Sequence, residues 1–128
     1  SLISNWYEHF ILNKNQEVDI ANDQIFSPIF ANDLPKISKT LIKNDFKGKI
    51  NIGGSEALSR LDCLKIFIEI FKIKNVNINK KSINNFNLPE LRPINTSLDT
   101  KLLQNIIDFK LKKFSDICKE CYEKFPKK

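Results

Sequence analysis

Residues 92–102 read Arg-Pro-Ile-Asn-Thr-Ser-Leu-Asp-Thr-Lys-Leu, which sets a rare side chain on a restricted piece of backbone. Pro93 biases Arg92 toward extended geometry, residues 95–97 can hydrogen-bond their own backbone, and Asp99 suits the N-cap of the apolar pattern Leu102, Leu103, Ile106, Ile107. An extended strap therefore presents one guanidinium and then enters a helix. Arginine is scarce: of 21 basic residues, Arg60 and Arg92 alone are arginines. A planar fork at position 92 suits bidentate binding of a phosphate or carboxylate, while a plain surface arginine is the alternative that spacing leaves open.

The run Asn22-Asp23-Gln24-Ile25-Phe26-Ser27-Pro28 is the second place to expect ligand contacts. Gln24 donates and accepts together, which suits the edge of a pyrimidine ring or a sugar hydroxyl, and Phe26 offers a flat apolar face. The competing reading is a connecting loop packed beneath the helix at Asp33. Cys118 and Cys121 invite a zinc or redox interpretation, yet zinc needs four ligands, and beyond Cys63 the other soft candidate is His9, with no matching spacing. Both cysteines fall on the stripe Ile117, Cys118, Cys121, Tyr122, Phe125, where Cys serves as a small hydrophobe. His9, beside Phe10 near a helix end, reads as structural or exposed and not as catalytic. No Ser-His-Asp set or paired carboxylates can be argued from spacing.

These residues must be held by short elements. Residues 2–12 read as an amphipathic helix, and 17–20 alternate as a strand, with Val18 and Ile20 on one side. Asn32 or Asp33 caps a helix with Pro35 in its first turn and Leu34, Ile37 and Leu41 on one face. Lys47-Gly48 turns the chain into a strand at 49–52. Ser59 with Asp62 opens a long helix, capping-box fashion, whose face carries Leu61, Leu64, Ile68 and Phe71. Val76 and Ile78 suggest another strand, the Asn-rich stretch 82–91 a loop, and helices are expected at 100–108 and 115–125. The sequence holds no internal repeat, and low complexity is confined to the terminal Lys127-Lys128.

At 128 residues with 41% apolar content, the chain fits one domain, residues 1–128, with one core. No apolar run approaches the ~18 residues of a membrane span, so no membrane partner is expected. Three cysteines without a disulfide framework suit a reducing cytoplasm. The net charge of +6 raises nucleic acid as a partner. Lysines are spread evenly among Ile and Asn, however, and no basic helix, zinc pattern or aromatic platform stands out, so no nucleic-acid partner is expected. Small anionic molecules use the same charge more economically.

The strap resembles the Arg-Pro-x-Asn-Ser/Thr-Ser-Leu-Asp segment of the dTDP-4-dehydrorhamnose reductase family, among the extended short-chain dehydrogenases/reductases of the NAD(P)-binding Rossmann-like superfamily. Two further segments fit that family in the same order. Residues 22–28, with Asn32-Asp33-Leu34 after them, resemble its Asp-Gln-x-Gly-Ser-Pro-Thr run and following helix. Lys49-Ile50-Asn51-Ile52-Gly53-Gly54, then Leu58-Ser59-Arg60, resemble its strand, glycine turn and Ser-Arg helix start. The chain departs from the pattern at Phe26, where the family usually has Gly, and at Ile29, where it usually has Thr; both put substrate identity in question.

The resemblance implies an α/β fold: the helix-rich, carboxyl-terminal substrate-binding portion of such an enzyme, with short strands. The family's nucleotide-binding half, with its Gly-rich turn and Tyr-x-x-x-Lys pair, is missing. The glycines are Gly48, Gly53 and Gly54, and Tyr7 and Tyr122 are followed four residues later by Ile11 and Pro126, so neither motif can be written. NAD(P)H is thus expected in the parent enzyme, bound by the missing half, and none in this chain, which alone is expected to be inactive. Implied partners are a nucleotide-sugar substrate and the amino-terminal Rossmann half, and a homodimer is possible where sheet edges lack their neighbours. Substrate contacts are expected from Arg92, Asn95, Gln24 and Phe26, with no catalytic or metal-binding residue. Gly53-Gly54 could cradle a phosphate, but the resemblance assigns it to close strand–helix packing. The implied activity is reduction of a nucleotide-linked 4-keto-deoxysugar for cell-surface polysaccharide biosynthesis. A sugar-nucleotide epimerase or dehydratase, or a non-catalytic regulatory relative, are the alternatives.

Overall fold

The computed structural model describes residues 1–126, so the Lys127-Lys128 tail lies outside the described residues. Its main layer is helical. Helix α1 (Leu2–Tyr7) runs into a π-helical turn at Glu8–Leu12, closed by the Asn13 amide donating to the Glu8 carbonyl at 2.9 Å. The widened turn keeps Phe10 buried while His9 Nε2 donates to the Glu17 carbonyl at 2.7 Å, a structural role. Strand β1 (Glu17–Ala21) follows and pairs in parallel with β4 (Asn77–Lys81), Glu17 opposite Asn77 and Ala21 opposite Lys81.

Between those two strands the chain forms β2 (Ile25–Phe26), α2 (Asp33–Lys43), β3 (Leu58–Ser59) and α3 (Arg60–Ile70). Helix α3 starts with a complete capping box: Ser59 Oγ accepts from the Asp62 amide at 3.0 Å, and Asp62 Oδ2 accepts from the Ser59 amide at 3.1 Å. Its inward face is Leu61, Cys63, Leu64, Phe67 and Phe71, so the deepest aromatic is Phe67 and Ile68 packs at the margin. Beyond β4 come a 3-10 turn (Ile83–Asn85), β5 (Asn95–Thr96), α4 (Lys101–Ile106) and α5 (Phe114–Lys124). The principal core joins α1, β1, α3 and α5, and includes Cys118 as a buried apolar residue. A smaller cluster of Ile37, Leu103, Ile107 and Leu111 ties α2 to α4.

Two local expectations need correction, and a third, left open between Asn32 and Asp33, resolves to Asn32. Residues 49–52 form no strand, having no ladder partner among the described residues. Ile50 instead packs on the smaller cluster and Asn51 Nδ2 donates to the Asp99 carbonyl at 3.1 Å. Leu34 is 40% exposed, since Ile37 and Leu41 already fill the inward face of α2. The N-cap of α2 is Asn32, without a side-chain bond, because the buried Asp33 carboxylate is turned to the Lys112 amide at 3.4 Å.

Candidate functional site

The second sheet, ordered β3-β2-β5, is built of two-residue strands and gathers the residues singled out above. Strands β2 and β5 are parallel, with Ile25 opposite Asn95, so Gln24 and the Arg92 strap enter the sheet at the same end. Strand β3 is antiparallel to β2, with Ser59 opposite Ile25, so the residue that leaves it, Arg60, emerges at that end too. The register is held by Ile25 N–H donating to the Ile94 carbonyl at 2.7 Å and by Thr96 Oγ1 donating to the Ile25 carbonyl at 3.2 Å. Asp23, one residue before Gln24, accepts from Ser82 Oγ at 2.6 Å and the Ile83 amide at 2.8 Å, fixing the start of the loop that leads to the strap. These bonds, Ser82 first, hold its carboxyl below the usual carboxylate range.

Each predicted residue has a distinct setting. Arg92 is exposed and, among the described residues, makes no ion pair or hydrogen bond. Asn95 is exposed, and its Oδ1 accepts from the Ser97 amide at 2.9 Å and Ser97 Oγ at 2.7 Å, the local turn expected of this stretch. Asp99 Oδ1 accepts from the Lys101 amide at 3.0 Å at the entrance of α4, one residue before the N-cap, Thr100. Gln24 is buried, and Phe26 is half-buried.

Arg60 joins them, a residue the site reasoning from sequence passed over. Its amide donates to the Gln24 carbonyl at 3.0 Å, its Nε donates to Gln24 Oε1 at 3.2 Å, and its guanidinium carbon lies 4.6 Å from the Phe26 ring centre. Burial lowers the guanidinium from its ordinary value; the Cys63 thiol opposes this and the nearby Arg92 charge adds to it. Arginine does not give up its proton in proteins, so this is chiefly a cost of burial, to which the Arg92 charge adds and which an anion beside the guanidinium would relieve. Arginine scarcity, the signal that singled out Arg92, applied equally to Arg60.

The glycine turn is spent on packing. A Cβ on Gly54 would stand 1.8 Å from the Pro28 carbonyl oxygen, and one on Gly53 would meet Ser27 and Leu98 at 3.3 Å. The space is filled by the chain's own backbone at Gly54 and by the Ser27, Leu98 and Thr100 side chains at Gly53, so the turn does not fit a dinucleotide phosphate. Cys63, Cys118 and Cys121 are free thiols; burial pushes Cys63 and Cys118 up to about 12, unsuited to nucleophilic work. An open hollow of about 400 Å³ beside Leu41, Phe46 and Ile50 is lined by none of the site residues.

Fold and site together define a helix-rich α/β unit in which Gln24, Arg60, Asn95 and the Arg92 strap lie toward one end of a small sheet. Residues 8–126 match the model of the RmlD substrate binding domain, and the chain belongs to that family. Among solved structures it resembles dTDP-4-dehydrorhamnose reductase from Bacillus anthracis in complex with NADP, with a TM-score of 0.79 and 17% identity over 97% of this chain and 43% of that one. The enzymes of the same name from Yersinia enterocolitica (TM-score 0.77, 14% identity, 94% and 42% covered) and Clostridium acetobutylicum (TM-score 0.75, 18% identity, 92% and 40% covered) share the fold. The chain thus spans less than half the length of these relatives. No curated protein matches it in sequence. No helix of the described residues is long and apolar enough to cross a membrane.

Proposed function

We propose that this chain is the substrate-binding region of an NAD(P)-dependent reductase acting on a nucleotide-linked 4-keto-deoxysugar, of the dTDP-4-dehydrorhamnose reductase kind. The observation that carries this reading is that Arg60 and the Arg92 strap lie toward the same end of one small sheet, without a carboxylate paired to either arginine among the described residues, in a chain of this family. Two guanidiniums so placed suit the two phosphoryl groups of a sugar nucleotide. Gln24 and the free amide of Asn95 offer neutral polar contacts for the sugar or base. The reducing chemistry belongs to a dinucleotide-binding half, because this chain carries neither the glycine fingerprint nor the Tyr-x-x-x-Lys pair. Its own task is to bind and orient.

The test uses the full protein that carries this chain, with a dTDP-linked 4-keto-6-deoxysugar and NADH or NADPH. Nicotinamide oxidation dependent on the sugar nucleotide is expected, and no turnover with either cofactor would overturn the reading. Arg92→Ala should weaken substrate affinity roughly tenfold or more, the loss of one charge-assisted contact. Arg92→Lys should hurt nearly as much, because a point charge does not reproduce the fork, while the melting temperature stays put. Unchanged affinity in Arg92→Ala removes Arg92 from the site.

A further inference from the structure

Arg60 and Arg92 carry the same charge toward the same end of the small sheet on opposite terms. Arg60 is half-buried, tied by backbone and side chain to the buried Gln24, and laid over the Phe26 ring, whereas Arg92 projects from an exposed strap with nothing holding it among the described residues. At the start of α3 the Arg60 amide donates to the Gln24 carbonyl and the Asp62 amide to Ser59 Oγ, so the arginine side chains are the charged groups an anion would meet.

We propose that Phe26 and Gln24 are positioning residues that hold Arg60 as the fixed half of an anion clamp, with Arg92 as the half that adjusts to the ligand, and that the clamp takes the linked phosphoryl groups of a diphosphate. The proposal rests on the reading of this end of the sheet as the substrate's diphosphate site. Gln24 takes up Arg60 Nε and leaves the two terminal nitrogens of the guanidinium free among the described residues, which is the edge a phosphoryl oxygen pair engages. Phe26 supports the flat face of the same group. An arginine held at its Nε and on its face loses less freedom on binding than one that must be recruited from solvent. Phe26, with one face given to Arg60, acts on the ligand through that arginine.

The test titrates the full protein with inorganic pyrophosphate and with orthophosphate by calorimetry, in Phe26→Leu, Phe26→Tyr and Arg60→Lys. Pyrophosphate should bind more tightly than orthophosphate. Phe26→Leu should weaken pyrophosphate roughly three- to tenfold with the melting temperature held, and Phe26→Tyr, which keeps the ring face, should restore it. Arg60→Lys should weaken it at least as far as Phe26→Leu. Equal affinity in Phe26→Leu and the parent, or equal losses in the Leu and Tyr variants, would overturn the positioning role. Pyrophosphate affinity indifferent to Arg60→Lys would overturn the clamp. These outcomes are separate from turnover: a protein that binds pyrophosphate as described yet reduces no sugar nucleotide contradicts the proposed activity and leaves the clamp standing.

Discussion

The helical core and the three-stranded sheet are held together by different means. In the core, Phe67 stacks on Phe71 with ring centres 4.1 Å apart and is flanked by Trp6 at 5.5 Å and Phe10 at 6.2 Å, while Phe71 meets Tyr122 edge-on at 5.3 Å. Non-directional burial dominates there, at about 1.5–3 kcal/mol for each fully buried large side chain. The sheet has strands of two residues, too short to persist alone, and its register depends on single bonds such as Ile25 to Ile94 and Arg60 to Gln24. Stability and ligand geometry are therefore separable: substitutions in the core should act on folding, and substitutions in the sheet on the placement of the arginines.

The largest expected effect breaks the core. Phe67→Ala should cost about 3–5 kcal/mol, since the ring is fully buried and its aromatic neighbours close the cavity only in part. Denaturant unfolding monitored by near-ultraviolet circular dichroism would read it. A cost under about 1 kcal/mol would mean that the aromatic layer is looser than its ring distances imply.

The next effect arises beside the sheet, at the glycine turn. In Gly54→Ala the new methyl would stand 1.8 Å from the Pro28 carbonyl oxygen, which is backbone and cannot swing aside. The Ser27–Gly54 approach, held by the Gly54 amide donating to the Ser27 carbonyl at 3.3 Å, would have to open, and Ser27 Oγ would lose its place against the Leu98 amide. Overpacking of this kind costs about 1–3 kcal/mol. Pyrophosphate affinity should fall as well, because β2 and the strap after β5 shift together. A variant that loses stability while keeping full affinity would show the glycine turn to be independent of the site.

The same division governs what the sequence discloses. The capping box of Ser59 and Asp62 and the helices near residues 33–43 and 114–124 were legible because their causes lie within a few residues: a hydroxyl, a carboxylate, an apolar period. Strands β2, β3 and β5 were not, since two residues carry no alternation, and the expected strand at 49–52 failed because pairing depends on a partner far along the chain. Asp33 looked like a cap from local spacing and was drawn instead to an amide 79 residues away. Arg92 stood out by type and by its strap. Arg60, equally rare, gains its meaning only through Gln24, 36 residues upstream, and through Phe26. Local chemistry could be read directly, while the site, assembled from three separated segments, required the fold.

The smallest effect sharpens the comparison on the helical side, at the joint between α5 and the start of α2. Glu120 on α5 pairs with Lys124 on its own helix and with Lys112, whose ammonium lies 4.4 Å from the Phe30 ring and whose amide donates to Asp33. The hydrogen bonds from Lys112, then Lys124, hold the Glu120 carboxyl down to about 2 from an ordinary 4.5. A depressed carboxylate contributes stability above its unfolded value and loses it as protons bind the folded form. The contribution should thus be complete above about pH 4.5 and disappear as pH falls toward about 2. Lys112, raised chiefly by its bond to Glu120, gives the opposite limb, with stability present at neutral pH and lost as alkali deprotonates the folded form. Because the carboxylate is partly open to solvent, the effect is small and sensitive to salt. Melting temperatures of the parent and Glu120→Gln across acid pH should differ at neutrality, converge as pH falls from about 4.5 toward 2, and lie closer together throughout in high salt. A constant difference across that window would show that Glu120 acts by packing, and that the joint holds without its charge.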